Sequence, residues 1–171
     1  FFRPERISRL KASPQLEAAR ARGVEVLLLT DPVDHFWTSA GPGYEGKPLK
    51  SLTQGDVDLS LIPLLEADDN ATRPPAGDSK SLIEGLKGAL GDRVSDVRVS
   101  KRLVASAVCL VAPGRGPDLG LEKILSRQER GVGVKPVLEV NAEHALVRHI
   151  GAAFAQASEE AKELAELLLD Q

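Results

Sequence analysis

The sequence predicts an α+β fold: a small α/β layer over residues 1–65, then an α+β domain over 79–171 with a three-stranded sheet and terminal helices. Three observations carry this. Apolar residues switch along the chain between helical and strand spacing. Residues 66–78 carry no apolar period and contain Pro74-Pro75, which denies both helix and central strand, so they read as a linker. After the linker the order is helix, strand, strand, helix, strand, helix, helix, an α+β succession.

In the first unit, Ser13 caps a helix with Pro14 at its first position, running through Arg22 and ended by Gly23. Residues 24–29, apolar except Glu25 and bordered by turn residues, read as a buried strand. Asp31-Pro32 starts a second helix, with Asp34 placed to favour its exposed N–H groups. Gly41, Pro42, Gly43 and Gly46 form a loop, and residues 49–53 read as a strand. About 65 residues bury too little surface to be secure alone, so this unit reads as the tail of a larger domain.

The second unit opens with Asp78 capping a helix whose Leu82, Ile83, Leu86 and Leu90 share a face. Gly85 and Gly88 weaken it by roughly 1 kcal/mol each relative to Ala, so it must lean on packing. Val94, Val97, Val99 and Leu103, interleaved with Asp96, Arg98 and Arg102, predict a half-buried strand; residues 107–112 predict a more buried one. Asp118 starts a helix to about Arg130, residues 135–140 form a third strand, and Asn141 and Ser158 cap the two closing helices.

Composition narrows the function classes. A net charge of −3 argues against a nucleic-acid binder, and one cysteine excludes a disulfide framework or a multi-thiolate zinc site. The longest apolar run is far short of the roughly 18 residues needed to span a bilayer. Arg3, Glu5, Arg6 and Arg9 stand where a signal peptide needs apolar residues, so the expected setting is the cytoplasm. The absence of methionine and the Phe1-Phe2 start read as a processed or excised piece.

Catalytic signatures are sparse. His144 and His149 are five apart, off the spacing that aligns ligands on a helix, and His35 stands beside Phe36 and Trp37. Cys109 reads as a small hydrophobe within a strand. Gly114, Gly116 and Gly120 do not form a dinucleotide fingerprint, and Asp56, Asp58, Asp68 and Asp69 read as loop charge without a third metal ligand. Apolar stripes are more informative. The helix from Asp118 aligns Leu121, Ile124 and Leu125, either for the core or as a surface for apolar partners. Residues 158–171 align Ala161, Leu164, Ala165 and Leu168, flanked by Leu167, in a bundle pattern.

Several blocks together resemble the ninety-kilodalton heat-shock chaperone family in its bacterial form. Leu10-Lys11-Ala12-Ser13-Pro14-Gln15-Leu16-Glu17, residues 23–34 and Tyr44-Glu45-Gly46-Lys47-Pro48-Leu49 are similar to the end of its middle domain. Residues 90–103, Leu138-Glu139-Val140-Asn141-Ala142-Glu143-His144 and Leu167-Leu168-Leu169-Asp170-Gln171 are similar to its C-terminal domain. The resemblance implies a homodimeric, ATP-driven chaperone acting on unfolded or partly folded client proteins, with neither nucleic acid nor membrane as partner. Residues 1–65 would then end the middle domain, and 79–171 would be the C-terminal dimerisation domain lacking its last helix. It also implies that ATP, Mg and the catalytic arginine belong to upstream parts, leaving no catalytic, cofactor or metal residue in this chain. Client contact would fall to Leu121, Ile124 and Leu125, with Phe36 and Trp37 as further candidates. Dimer contact would fall to Ala161, Leu164, Ala165, Leu167 and Leu168. Two readings stand beside this: a stand-alone α/β enzyme using Asp56, Asp58 or a histidine on a small substrate, and a purely structural dimerisation module.

Overall fold

The computed structural model describes residues 4–31, 33, 34, 38, 43–65, 79–114, 119–127 and 133–169. The expected linker at 66–78, together with His35, Phe36, Trp37, Asp78 and Asp118, lies outside them.

Helix α1 spans Pro4–Lys11. The helix expected from Ser13 starts as a 3₁₀ turn over Pro14–Leu16 and continues as α2, Glu17–Ala21. Ser13 Oγ accepts from the Gln15 amide at 3.4 Å, the expected cap. Gly23, at φ +62°, takes the left-handed conformation that ends the helix. Leu16, Ala18 and Ala19 are buried. Asp31 and Asp34 behave as a reciprocal cap: Asp34 Oδ2 accepts from the Asp31 amide, and Asp31 Oδ1 from that of Val33, both at 3.0 Å.

The two strands expected in this unit differ from expectation. Residues 24–29 alternate between exposed and half-buried but pair with no strand among the described residues. Strand propensity becomes a ladder only when a partner edge supplies hydrogen bonds. In place of a strand at 49–53, a single bridge joins Gln54 to Ala112, with Gly55 N donating to Ala112 O at 2.9 Å and Ala112 N to Thr53 O at 2.8 Å.

The second unit follows the expected order. Helix α3 covers Ser79–Leu90, burying Leu82, Leu86 and Leu90. It gives way at Gly91 (φ +48°) to a 3₁₀ turn. Strand β1 is Asp96–Val99, β2 Val108–Val111 and β3 Val137–Val140, separated by helix α4, Leu119–Arg127, between β2 and β3. Helices α5, Ala145–Ala155, and α6, Glu160–Leu169, close the described chain. The cap of α5 is His144, whose Nδ1 accepts from the Leu146 amide at 3.3 Å, and not Asn141. Asn141 instead forms a turn of its own by accepting from the Glu143 amide.

The sheet is mixed, in the order β1-β3-β2, with β3 parallel to β1 and antiparallel to β2. All four residues of β3 are buried, as befits a central strand covered on both faces. On one face Leu138 and Val140 join Val97, Leu86, Val147, Ile150 and Leu168 in the main core beneath α3, α5 and α6. Each fully buried Leu or Ile contributes roughly 1.5–3 kcal/mol there. On the other face Cys109, Val111 and Val137 form a smaller cluster. Register places Arg98 and Cys109 on either side of Glu139.

Candidate functional site

That second face carries a charged network that holds the two units together. Glu139 is 3% exposed and Arg102 6%. Glu139 Oε1 accepts from Arg98 Nε at 3.1 Å and Nη2 at 2.6 Å; its Oε2 accepts from Arg102 Nε at 2.8 Å and Ser100 Oγ at 2.9 Å. With four donors on one carboxylate, the buried charge is fully satisfied, the condition under which burial is tolerable. Both arginines then reach the first unit. Arg102 Nη1 donates to Leu52 O at 2.6 Å and Nη2 to Gln54 O at 3.0 Å, while Arg98 Nη2 donates to Gly55 O at 2.5 Å. The planar fork of arginine permits this double duty, which a lysine could not perform.

A second carboxylate joins the units from the opposite direction. Glu17 on α2 accepts from the amides of Val104 at 2.6 Å, Ala105 at 2.8 Å and Ser106 at 3.1 Å, and from the Ser106 hydroxyl. Burial opposes its ionisation and is the largest single influence. The Ser106 hydroxyl and the three amides together outweigh it and hold the carboxyl below its ordinary range. Gln15 Nε2 adds a bond to Leu110 O at 2.5 Å. Sequence reading missed this seam because Arg98 and Arg102 fit the polar face of a half-exposed strand. The available signal was Glu139, an acid at the centre of an otherwise apolar strand.

A cavity of about 230 Å³ lies along the seam, bordered by Gln15, Asp56, Asp58, Arg98, Lys101 and Glu139. It brings the two loop carboxylates of the enzyme reading together with basic groups. Asp58 Oδ2 grips Lys101 Nζ at 2.8 Å, and the Lys101 and Ser60 hydrogen bonds hold its carboxyl far below the usual range. A carboxylate so held stays ionised and offers no proton. Burial first, and the Glu139 charge second, push the Cys109 thiol up to about 12, away from the thiolate a nucleophile needs. His149 is exposed on α5. Among the described residues no group of three or more His, Cys, Asp or Glu is placed to hold a metal, and no helix is long and apolar enough to cross a membrane.

Helix α4 is built differently from the rest of the domain. Leu121, Ile124 and Leu125 are half-buried, but none belongs to either core cluster. Among the described residues α4 makes no extensive contact with any other named helix or strand. Among its described residues the buried one is Glu122, whose Oε1 accepts from Ser126 Oγ at 3.1 Å, Gly133 N at 3.0 Å and Val134 N at 3.3 Å. The apolar stripe is thus on a peripheral helix fastened by a polar anchor. Phe36 and Trp37 lie outside the described residues.

The α6 stripe divides. Ala161, Ala165 and Leu168 are buried, and Leu164, half-buried, is packed against the main core. Leu167 alone of the five faces outward, 64% exposed.

The described residues thus form an α+β arrangement with a peripheral amphipathic helix. The family comparison gives it a lineage: the model for Hsp90 protein matches residues 1–171, and the chain belongs to that family. It is similar to Chaperone protein HtpG of Rhodopseudomonas palustris strain BisB18, 54% identical over 165 residues, covering 96% of this chain and 26% of the relative. Chaperone protein HtpG of Azorhizobium caulinodans is 54% identical over 167 residues with the same coverage. That of Mesorhizobium japonicum is 51% identical over 138 residues, 80% of this chain and 22% of the relative. The chain thus spans about a quarter of the length of these relatives.

Proposed function

We propose that this chain serves an ATP-driven molecular chaperone of the bacterial cytoplasm, contributing contact with unfolded or partly folded client proteins and part of a homodimer interface. The observation that carries the reading is α4, which holds Leu121, Ile124 and Leu125 apart from both hydrophobic clusters. Apolar side chains kept out of the core on a peripheral helix suit partners that expose apolar segments of their own. Membership of the Hsp90 family and the likeness to chaperone proteins support the same reading. On this reading residues 1–65 end a middle domain, 66–78 join the units and 79–171 belong to the dimerisation domain. ATP and Mg are then bound by upstream parts of the full-length protein. Within the α6 stripe, the exposure of Leu167 supports giving it the contact with a second subunit.

The test uses the full-length protein with Leu121→Asp and Ile124→Asp together. Suppression of client aggregation should fall severalfold while circular dichroism and melting temperature hold. In a separate variant, Leu167→Glu should shift sedimentation toward monomer. Unchanged client protection at equal stability would defeat the client reading, and an undisturbed dimer would defeat the role given to Leu167.

A further inference from the structure

Helices that need permanent placement are anchored by apolar burial, as α3, α5 and α6 are here by Leu86, Ile150 and Leu168. Helix α4 is anchored by a charge. Glu122 is only 7% exposed, yet no other residue from 119 to 126 is buried beside it. One carboxylate oxygen collects the Ser126 hydroxyl from its own helix and the Gly133 and Val134 amides from the segment leading into β3. The other, Oε2, is buried without a hydrogen-bond partner among the described residues. Gly133 sits at φ +65°, a conformation glycine takes freely and other residues take with strain, so the chain turns there to present its amide.

A buried carboxylate with one oxygen satisfied and the other stripped of water is a compromised anchor. The two amide bonds favour docking of α4, and the bare oxygen favours release into water, where both oxygens are hydrated. We propose that Glu122 is a positioning residue that acts as a weak latch: it seats α4 on the Gly133 and Val134 amides, and its unpartnered oxygen keeps the seat easy to leave. Opening the latch frees the inner flanks of Leu121, Ile124 and Leu125, so the apolar area offered to a partner is set by the population of the undocked helix. The bearing on client capture rests on the function proposed above, whereas the latch itself does not.

Two substitutions pull the latch in opposite directions. Glu122→Ala removes the acceptor from both amides, so hydrogen exchange at Gly133 and Val134 should quicken by about tenfold, with more apolar-dye fluorescence. Glu122→Gln keeps a carbonyl oxygen for the same amides, and its neutral amide is less costly to bury than a carboxylate. Exchange should then slow below that of the unsubstituted protein, and dye binding should drop. The experiment is exchange mass spectrometry over 133–140 in the full-length protein, with dye binding in parallel. Opposite responses of the two variants establish the latch; equal exchange in all three proteins, or loss of protection in both variants alike, overturns it. Because α4 lies outside both clusters, neither change should lower the melting temperature appreciably, and the exchange readout holds even if client protection proves independent of Leu121 and Ile124.

Discussion

Replacing Arg102 with Leu would leave the Glu139 carboxylate short of one of its two cationic partners at a site 3% exposed to solvent. Removing one member of a buried ion pair costs about 3–5 kcal/mol, because the other charge is stranded. Glu139 retains Arg98 at 2.6 Å and Ser100 at 2.9 Å, which places the loss near the lower end. The carbonyls of Leu52 and Gln54 lose their donor in the same stroke. A loss of about 3 kcal/mol in a domain of this size lowers the melting temperature by roughly 6–12 °C. Arg102→Lys retains the charge but not the fork and should fall between. The double variant Arg102→Leu with Glu139→Leu removes the stranded charge, and Arg98, with 41% of its side chain exposed, can turn to water. It should therefore be more stable than the single variant by about 1–2 kcal/mol. Thermal and urea unfolding followed by circular dichroism would measure all three. A single-variant loss under about 1 kcal/mol, the worth of an exposed pair, would refute the reasoning. A double variant weaker than the single would do the same.

Two further predictions are simpler. In α3, a Cβ on Gly85 would stand 2.6 Å from Phe154 Cγ, whereas one on Gly88 would meet nothing within 4 Å. Gly85→Ala should thus destabilise by about 1–3 kcal/mol through overpacking, and Gly88→Ala should stabilise by about 0.5–1 kcal/mol through helix propensity; equal shifts in the urea midpoint would contradict the packing. Glu17 is held below its ordinary value of 4.5 in the folded chain. In the window between that value and its lower folded one, the unfolded chain binds the extra proton, so acidification destabilises the fold; above the window the contribution is complete. Glu17→Gln should flatten the fall of the urea midpoint below pH 4.5, and a parallel fall in both proteins would show that the three amides do not favour the carboxylate.

The legible parts of the fold were those fixed by local spacing. Leu82, Leu86 and Leu90 marked the buried face of α3, and the strands appeared where β-branched residues alternated or clustered, though β1 is shorter than the pattern from Val94 to Leu103 suggested. Residues 24–29 carried an equally strong strand pattern and pair with nothing described, because pattern specifies a face and not a partner. Asn141 was a reasonable cap by type, but the turn it makes with Glu143 delays the helix until His144 takes that role. The stripe of α4 was visible, while its anchor was not. Glu122 read as one of several charges between apolar positions, and only the path of residues 133–134 makes it a buried contact. The α6 stripe was equally visible, but spacing alone could not say whether it meets the chain's own core or another subunit, and four of its five residues meet the core.

The position of β3 bears on how this domain is made. Among the described residues it is the last strand in sequence and the middle one in the sheet, so β1 and β2 share no ladder and are joined through it. A growing chain that has not yet delivered residues 137–140 holds two strands with no common neighbour, and Arg98 and Arg102 without the acid that gathers them. Both ladders of the sheet and the arginine contacts of the seam therefore depend on the segment that carries Glu139. Until that segment arrives, the incomplete domain presents open strand edges and bare apolar faces, the very features that make nascent chains aggregate. During its own synthesis, a protein of this family passes through a stage in which it resembles the chains that chaperones protect.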